Sequence, residues 1–426
     1  MSKGKVDRRK FLAAGGMAAG AAATGLFAGC GGCNKGGSDN NTIKIFSSMP
    51  RTGSAKGQTD TIVNGIKMAL EEYNNEVAGF KIEYTDLDDA VASTGNWALE
   101  AETANAQKAE ADKDVMAFIG PYNSGAASVS MPILNQAGIL QVSPAVTWPG
   151  LTKPGYKAGE PAAYQPSGEP HFCRVVPTDE IQSLVGAAFI RDSLKKTKVY
   201  LLDDRQVYGK GVADLFELVV KNHITELKVL GRDGIDDKAT DYKALMRKIA
   251  TEYKPDVVYF GGTSQTNAGQ IAKDLKQALP GCALVAPDGC YEKAFITAAG
   301  ADAVNGLAYV TFGGVDPAKL TGPGKKFVDD YKAKFGNTPE AYALYGYECG
   351  KVVMEAIKTA GKKDRDAIRK AGVNTKDFEQ GALGKWSFDK NGDIDQANFT
   401  VSAVKDGTFA VEKEYNGTDI QKLQKS

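Results

Sequence analysis

Histidine is scarce in this chain of 426 residues, which contains only His171 and His223. Neither lies in a cluster of potential ligands, so the sequence indicates no zinc site and no nucleophile–histidine pair. Net charge is also lacking, because 52 Lys and Arg residues balance 52 Asp and Glu residues. Without a basic patch, nucleic acid is not an expected partner. No G-x-G-x-x-G motif follows the first apolar run, and the sequence predicts neither a cofactor nor a metal.

The first thirty residues have the features of an export signal. They begin with basic residues that include Arg8 and Arg9, continue as a weakly apolar run and end at Cys30. The segment "RRKFL" resembles a twin-arginine signal, and "LFAGC" resembles a bacterial lipobox. We therefore expect residues 1–30 to be an export signal, Cys30 to be lipidated, and residues 31–41 to form a flexible tether. An uncleaved anchor helix is the alternative, and the export route, twin-arginine or Sec, stays open.

From Thr42 onward, short apolar strands alternate with amphipathic helices, and no segment is long and apolar enough to span a bilayer. The Pro- and Gly-rich segment at 148–170 interrupts this alternation, after which a second series follows. This insert is a surface excursion, a cover for the rim of a cleft or a contact for a membrane partner. Two such series predict an α/β fold with two lobes, each a parallel sheet flanked by helices.

The carboxyl ends of five predicted strands are rich in small and polar residues, in "GPYNSGAAS", "SPAVTWPG", "DDRQVYG", "GGTSQTN" and "APDGCYE". In open parallel sheets, ligands bind beyond these strand ends, so the sequence predicts a binding cleft between the lobes. The first segment offers hydroxyl, amide and backbone groups without Lys, Asp, Glu, His or Cys. Such groups are suited to holding a ligand, and we do not expect an enzyme.

The ordered series of these segments resembles the amino-acid-binding branch of type I solute-binding proteins, which includes the leucine/isoleucine/valine-binding proteins of ABC importers. The resemblance extends from Ile43 to about Val411 and includes "MPRTGSAKGQ", "FCRVVPTDEIQ" and "DVVYFGGTSQTNAGQI". It implies two Rossmann-like lobes joined by a multi-strand hinge, of the periplasmic-binding-protein type I. We predict that residues 42–178 and 309–383 form lobe 1, and that residues 179–308 and 384–426 form lobe 2.

The resemblance also implies a function. The protein would capture a branched-chain or other neutral amino acid outside the cytoplasm, in a cleft that closes on the ligand by a hinge motion. It would deliver this ligand to a membrane permease, whose ATPase is a separate chain. We expect a monomer that is attached to the membrane through a lipid anchor.

The resemblance assigns ligand-binding roles to six residues: Ser124, Ala145, Thr147, Tyr208, Thr263 and Asp288. The hydroxyls of Ser124 and Thr147 would bind the ligand carboxylate, helped by the N-terminus of a helix. The Ala145 carbonyl and the Asp288 carboxylate would bind the ammonium group, and Tyr208 would close over the ligand. Branched-chain members often have Glu at position 288 and an aromatic residue at position 263, so these departures leave the ligand's side chain open.

Several alternatives remain at this stage. Outside the family context, Ser124 is explained as a helix cap, Asp288 as a turn residue and Tyr208 as a rim aromatic. The same fold could hold an amide, urea or an aromatic acid, or act as a ligand-sensing receptor subunit. Cys282 and Cys290 flank one short predicted strand, and export would permit a disulfide between them.

Overall fold

The computed structural model describes residues 41–425. The predicted export signal with Cys30 lies outside the described residues, as does the predicted tether up to residue 40. Asn41, the last residue of that tether, directly precedes the first strand. None of the helices within residues 41–425 combines the length and the apolar character that crossing a bilayer requires.

Two large sheets carry the fold. The strands are β1 Thr42–Met49, β2 Glu76–Val77, β3 Phe80–Asp88, β4 Ala90–Val91, β5 Asn96–Trp97, β6 Val115–Ile119, β7 Leu140–Ser143, β8 Phe172–Arg174, β9 Lys198–Asp203, β10 Lys228–Gly234, β11 Val257–Gly261, β12 Ala283–Ala286, β13 Ala308–Phe312, β14 Phe399–Lys405 and β15 Thr408–Tyr415. The first sheet has the order β2-β3-β1-β6-β7-β8, and the second has the order β10-β9-β11-β12-β13-β14-β15. Most neighbours are parallel, whereas β2 pairs antiparallel with β3, and β14 pairs antiparallel with both β13 and β15.

Helices cover both sheets. They are α1 Lys56–Glu71, α2 Leu99–Ala111, α3 Ser124–Gln136, α4 Asp179–Asp192, α5 Val207–Asn222, α6 Lys243–Lys248, α7 Ala268–Ala278, α8 Lys293–Ala299, α9 Ala301–Val304, α10 Gly322–Phe335, α11 Ala343–Ala360, α12 Arg365–Val373 and α13 Gly417–Lys425. The strands β6 ("VMAFI") and β11 ("VVYFG") are buried throughout. Such continuous apolar strands are typical of parallel sheets with helices on both faces. The predicted α/β fold with two lobes is therefore confirmed.

The long helix α11 returns to the first sheet and packs closely against α1. Two glycines permit this approach. A Cβ at Gly65 would lie 2.2 Å from the Ala343 carbonyl oxygen, and one at Gly346 would lie 2.3 Å from the Ile62 carbonyl oxygen. This packing fixes the start of α11 in the first lobe, beside the strand ends.

Within residues 41–425, the chain passes between the two sheets at 175–178, 313–321 and 374–398. The pairing differs from the predicted division at two boundaries. Strand β13 lies between β12 and β14 in the second sheet, although the sequence prediction gave residue 309 onward to lobe 1. The Arg174 backbone N–H donates to the Gly392 carbonyl at 3.0 Å, which holds the segment around residue 392 against the first sheet, although the prediction gave it to lobe 2.

The disulfide that export would permit between Cys282 and Cys290 is not formed, because both residues are buried free thiols. Cys282 precedes β12 and Cys290 follows it, so the strand holds the two thiols at its opposite ends. A strand advances roughly 3.3 Å per residue, which puts the pair beyond the Cα separation that a disulfide allows. Each sulfur atom instead faces a backbone carbonyl, of Ala283 at 3.7 Å and of Gly262 at 3.6 Å.

Candidate ligand-binding site

A cavity of about 20 Å³ lies between the two lobes, where strands of both sheets end. Its lining follows β6 and β7 of the first sheet and β9, β11 and β12 of the second. The lining residues are Tyr122, Asn123, Ser124, Ala145, Tyr208, Thr263, Asp288, Gly289 and Tyr342. The predicted location of a cleft at the strand ends therefore corresponds to a cavity in the structure.

Five of the six predicted site residues meet at this cavity: Ser124, Ala145, Tyr208, Thr263 and Asp288. The sixth, Thr147, does not line the cavity. Its side chain is 2% exposed, and its Oγ1 has no hydrogen-bond partner. Its carbonyl oxygen accepts from the Asp179 backbone N–H at 3.1 Å, which ties the loop after β7 to the start of α4.

Ser124 is the first residue of α3, so it brings the positive end of a 13-residue helix to the cavity. The residue before it, Asn123, has an extended backbone (φ −96°, ψ 137°), and its side chain makes no capping hydrogen bond. The first N–H groups of the helix are therefore not satisfied by a side-chain cap. The Ser124 hydroxyl accepts from the Trp148 backbone N–H at 3.3 Å and retains its own proton for donation. Together these groups are suited to binding an anion.

Asp288 supplies the opposite charge. It follows β12, is 4% exposed and accepts hydrogen bonds from the hydroxyls of Tyr208 and Tyr342. The Gln182 amide nitrogen also donates to its carboxylate at 3.0 Å. Burial raises the pKa of Asp288, and these three donors oppose that rise by stabilising the ionised form. The result is a carboxylate that is oriented for a cationic partner.

Two further acids of the second lobe, Asp179 and Glu292, are also buried. Burial raises the pKa of Asp179 well above its ordinary value, and the charge of Asp288 raises it further. Glu292 is 2% exposed, neither of its carboxylate oxygens has a hydrogen-bond partner, and burial raises its pKa to about 8. None of the nine residues that line the cavity is Lys, Arg or His. The electrostatics of the site therefore favour a ligand with a cationic group over a simple anion.

Four lining residues were not predicted from the sequence: Tyr122, Asn123, Gly289 and Tyr342. The first two directly precede Ser124 in "GPYNSG", and Gly289 directly follows Asp288, so adjacency to predicted residues was a usable signal. Tyr342 gave no such signal. It stands 54 positions from Asp288, and α11 brings it to the cavity from the other lobe.

The lobes touch each other around the cavity. The Asn123 amide donates to the Gln265 side-chain oxygen at 3.0 Å, and the Gln58 amide donates to the Tyr291 carbonyl at 3.2 Å. The Trp148 ring packs beside Gly211 of α5, where an added Cβ would lie 2.4 Å from the ring. A cavity of about 20 Å³ has room for about one water molecule. An amino acid can therefore enter only if the lobes or the lining side chains move apart.

Within the insert at 148–170, Tyr156 and Glu160 contact the side chain of its first residue, Trp148. The rings of Trp148 and Tyr156 lie 5.5 Å apart, and the Trp148 indole N–H donates to the Glu160 carboxylate at 3.2 Å. None of its residues lines the cavity. Trp148 therefore connects the insert to α5, because its ring also packs beside Gly211.

A larger cavity of about 300 Å³ lies at the connections between the sheets, lined by residues that include Val175, Gly313 and Asn398. It is not the candidate site. None of its lining side chains is a buried polar group without a partner, whereas the smaller cavity has such a group in Asn123.

Two α/β lobes that enclose a polar cavity at their strand ends define a protein of the two-lobed solute-binding class. The chain belongs to the periplasmic binding protein family, whose model matches residues 42–408. This family binds solutes outside the cytoplasm and is not a family of enzymes.

Relatives in this family cover most of the chain. The chain is 29% identical over 364 residues to the Leu/Ile/Val-binding protein BraC3 of Rhizobium johnstonii. The alignment covers 84% of this chain and 90% of that relative. A leucine-binding protein LivK of Thermotoga maritima has a solved structure that is 28% identical, with a TM-score of 0.77 over 89% of this chain and 100% of that one. A solute-binding protein of R. palustris in complex with benzoate superposes with a TM-score of 0.72 over 88% of this chain and 96% of that one. At 19% identity, this last similarity shows the fold alone.

Proposed function

We propose that this protein is the solute-binding component of an ABC transporter. It captures a branched-chain or other neutral amino acid outside the cytoplasm and delivers it to a membrane permease, whose ATPase is a separate chain. Closure of the two lobes on the ligand converts binding into a shape that the permease recognises. We also propose that the protein acts as a monomer, anchored through a lipid on Cys30 after export.

The observation that carries this proposal is that one side of the cavity is suited to an anionic group and the opposite side to a cationic group. The uncapped N-terminus of α3 with the Ser124 hydroxyl offers donors for a carboxylate. Asp288, in the other lobe, offers a buried carboxylate for an ammonium group. A zwitterionic head group satisfies both sides, and its two ends would bridge the lobes. Relatives that are named for leucine, isoleucine and valine binding support the same ligand class.

An aromatic acid is a poorer match, although the benzoate-binding protein shares the fold. The single carboxylate of an aromatic acid could bind at the N-terminus of α3, but the acid would leave Asp288 buried without a cation. No lining residue carries a positive charge that could compensate. Burying a second negative charge near Asp288 would therefore cost free energy.

Isothermal titration of the purified protein with alanine, leucine, valine, asparagine, glutamine, benzoate and urea tests the ligand class. We expect at least one neutral amino acid to bind with micromolar affinity or better, which corresponds to about −8 kcal/mol. At a hundredfold excess over its Kd, that amino acid should stabilise the fold by about 2.7 kcal/mol. Binding of benzoate or urea without binding of any amino acid would refute the proposal.

The variant Asp288→Asn tests the role of the carboxylate, because it keeps the shape and removes the charge. Breaking a buried charge pair costs about 2 kcal/mol or more, so the affinity should fall at least thirtyfold. Asp274→Asn is the matched control. Asp274, on α7, is also buried, but it lies away from the cavity. Its carboxylate accepts a hydrogen bond from the Tyr242 backbone N–H at 2.6 Å. The affinity of the Asp274→Asn variant for the amino acid should equal that of the wild type.

A further inference from the structure

A pair of amides bridges the lobes beside the cavity: Asn123 lines the cavity, and Gln265, which does not, is hydrogen-bonded to Asn123. Asn123 comes from the first lobe, Gln265 follows β11 in the second, and their side chains form one hydrogen bond of 3.0 Å. They are 8% and 9% exposed. The remaining oxygen of Asn123 and the remaining nitrogen of Gln265 have no hydrogen-bond partner.

This pair therefore offers one free acceptor and one free donor side by side. The pair offers one free acceptor and one free donor in either orientation of the two amides. If both amides were rotated, Gln265 would donate to Asn123, and one donor and one acceptor would again remain. Buried groups of this kind cost about 1–3 kcal/mol each when they stay unpaired. A ligand that supplies both partners removes that cost.

The lining of the cavity is also unlike an aliphatic pocket. Apart from Ala145 and Gly289, every lining residue carries a hydroxyl, an amide or a carboxylate, and no Leu, Ile, Val, Met or Phe contributes. An isobutyl side chain placed against Asn123 and Gln265 would leave their free groups buried and unpaired.

We infer that the Asn123–Gln265 pair is a specificity subsite for a carboxamide, so that the ligand is a neutral amino acid with an amide side chain, such as asparagine or glutamine. The inference rests on the proposed function, because the head group must occupy the Ser124 and Asp288 sides for the ligand side chain to reach the pair. The side-chain carbonyl accepts from the free donor of the pair, and the side-chain NH₂ donates to its free acceptor.

Comparison of asparagine with leucine tests this inference, because the two side chains have the same branching and nearly the same shape. Titration calorimetry on the full protein should give an affinity for asparagine at least tenfold higher than for leucine, as expected for two hydrogen bonds gained. Equal affinities, or tighter binding of leucine, would overturn the subsite while leaving the proposed function intact. If no amino acid binds, the proposed function itself fails.

The double variant Asn123→Leu with Gln265→Met locates the effect. It removes both amides with little change in volume, and it deletes no helix cap, because the Asn123 side chain does not cap α3. The ratio of asparagine to leucine affinity should fall at least tenfold. The control pair Asn374→Leu with Gln380→Met changes two exposed residues outside the cavity and should keep the wild-type ratio. An unchanged ratio in a folded Asn123/Gln265 variant would also overturn the subsite, and if that variant does not fold, the wild-type comparison decides.

Discussion

The hydroxyl of Tyr342, at the start of α11 in the first lobe, donates a hydrogen bond to the carboxylate of Asp288 in the second. The hydroxyl of Tyr208, within the second lobe, binds the other oxygen of the same carboxylate. Asp288 is thus held from both sides of the cleft. The Tyr342 contact forms across the cleft and stabilises the ionised form of Asp288. It therefore couples the charge of Asp288, the proposed partner of the ligand's ammonium group, to closure of the lobes.

Removal of this hydroxyl in Tyr342→Phe should weaken binding of the amino acid ligand about tenfold or more at pH 7. A hydrogen bond to a charged group contributes about 1.5–3 kcal/mol, and its loss raises the pKa of Asp288 further above its ordinary value. Binding needs the ionised carboxylate, so the loss of affinity on acidification should begin at a higher pH in the variant. Titration calorimetry between pH 5 and 8 measures both effects.

The control for that experiment is Tyr347→Phe on the same helix. Its hydroxyl also donates to a carboxylate, that of Glu72 at 2.8 Å, but on the α1 side, away from the cavity. Affinity and pH profile should match the wild type. Equal behaviour of the two variants would show that Tyr342 does not support Asp288 in binding.

Closure of the lobes can be tested where Trp148 meets Gly211. A Cβ at residue 211 would lie 2.4 Å from the Trp148 ring, so Gly211→Val should hold α5 away from the first lobe. Overpacking of this kind costs about 1–3 kcal/mol. We expect a larger radius of gyration by X-ray scattering and an affinity lower by about fivefold to a hundredfold. Gly57→Val, in α1, is the control, because a Cβ there meets nothing within 4 Å. Wild-type scattering and affinity in Gly211→Val would contradict the prediction.

The carboxyl of Glu102, on α2, should make stability depend on pH. It is fully buried, accepts from the Ser48 hydroxyl, and burial raises its pKa from 4.5 to about 7. An acid with a raised pKa contributes stability that is fully present below its unfolded value and is lost as the pH rises through about 7. The free energy of unfolding of Glu102→Gln should therefore equal that of the wild type at pH 4.5. At pH 8 it should be higher than that of the wild type, by at most roughly 3 kcal/mol.

Urea denaturation at the two pH values checks this prediction. The control is Glu110→Gln, an exposed carboxyl on the same helix, which should leave the free energy of unfolding unchanged at both. A stability difference for Glu102→Gln that is the same at pH 4.5 and pH 8 would show that the carboxyl does not titrate as described.

Local pattern was sufficient to predict the strand ends and a cleft beside them, whereas the individual site residues came from the family resemblance. Ser124, Tyr208 and Asp288 each follow a buried strand within a few residues, and parallel strands bring such positions together. Tyr342 and Gln182 reach Asp288 from 54 and 106 positions away, through helix packing that no local pattern encodes.

The disulfide that export would permit between Cys282 and Cys290 does not form, although the two residues are close in sequence. Four of the residues between them form the extended strand β12, which separates the thiols. The lobe boundary predicted at residue 309 differs from the structure because β13 pairs with strands on both sides, one of which, β14, begins 87 residues after β13 ends. No local pattern encodes such a pairing.

A buried ion pair near the connections between the lobes gives the last prediction. Arg174 at the end of β8 is 0% exposed, and its Nε lies 2.7 Å from a carboxylate oxygen of Asp393. The guanidinium also donates to the Trp148 carbonyl at 2.8 Å, which secures the loop after β7. Burial alone would raise the pKa of Asp393, but Arg174 and Lys153 lower it below its ordinary value.

Asp393→Ala should destabilise the protein by about 3–5 kcal/mol, because it leaves the Arg174 charge buried without a partner. The double variant Arg174→Met with Asp393→Ala should recover much of this loss, since replacing a whole buried pair with apolar groups is often neutral. Asp330→Ala removes an exposed pair with Lys326 and should cost at most about 0.5 kcal/mol. Urea denaturation at pH 7 compares the three. If the double variant were no more stable than Asp393→Ala, the cost would come from the lost contacts of Asp393 and not from an unpaired charge.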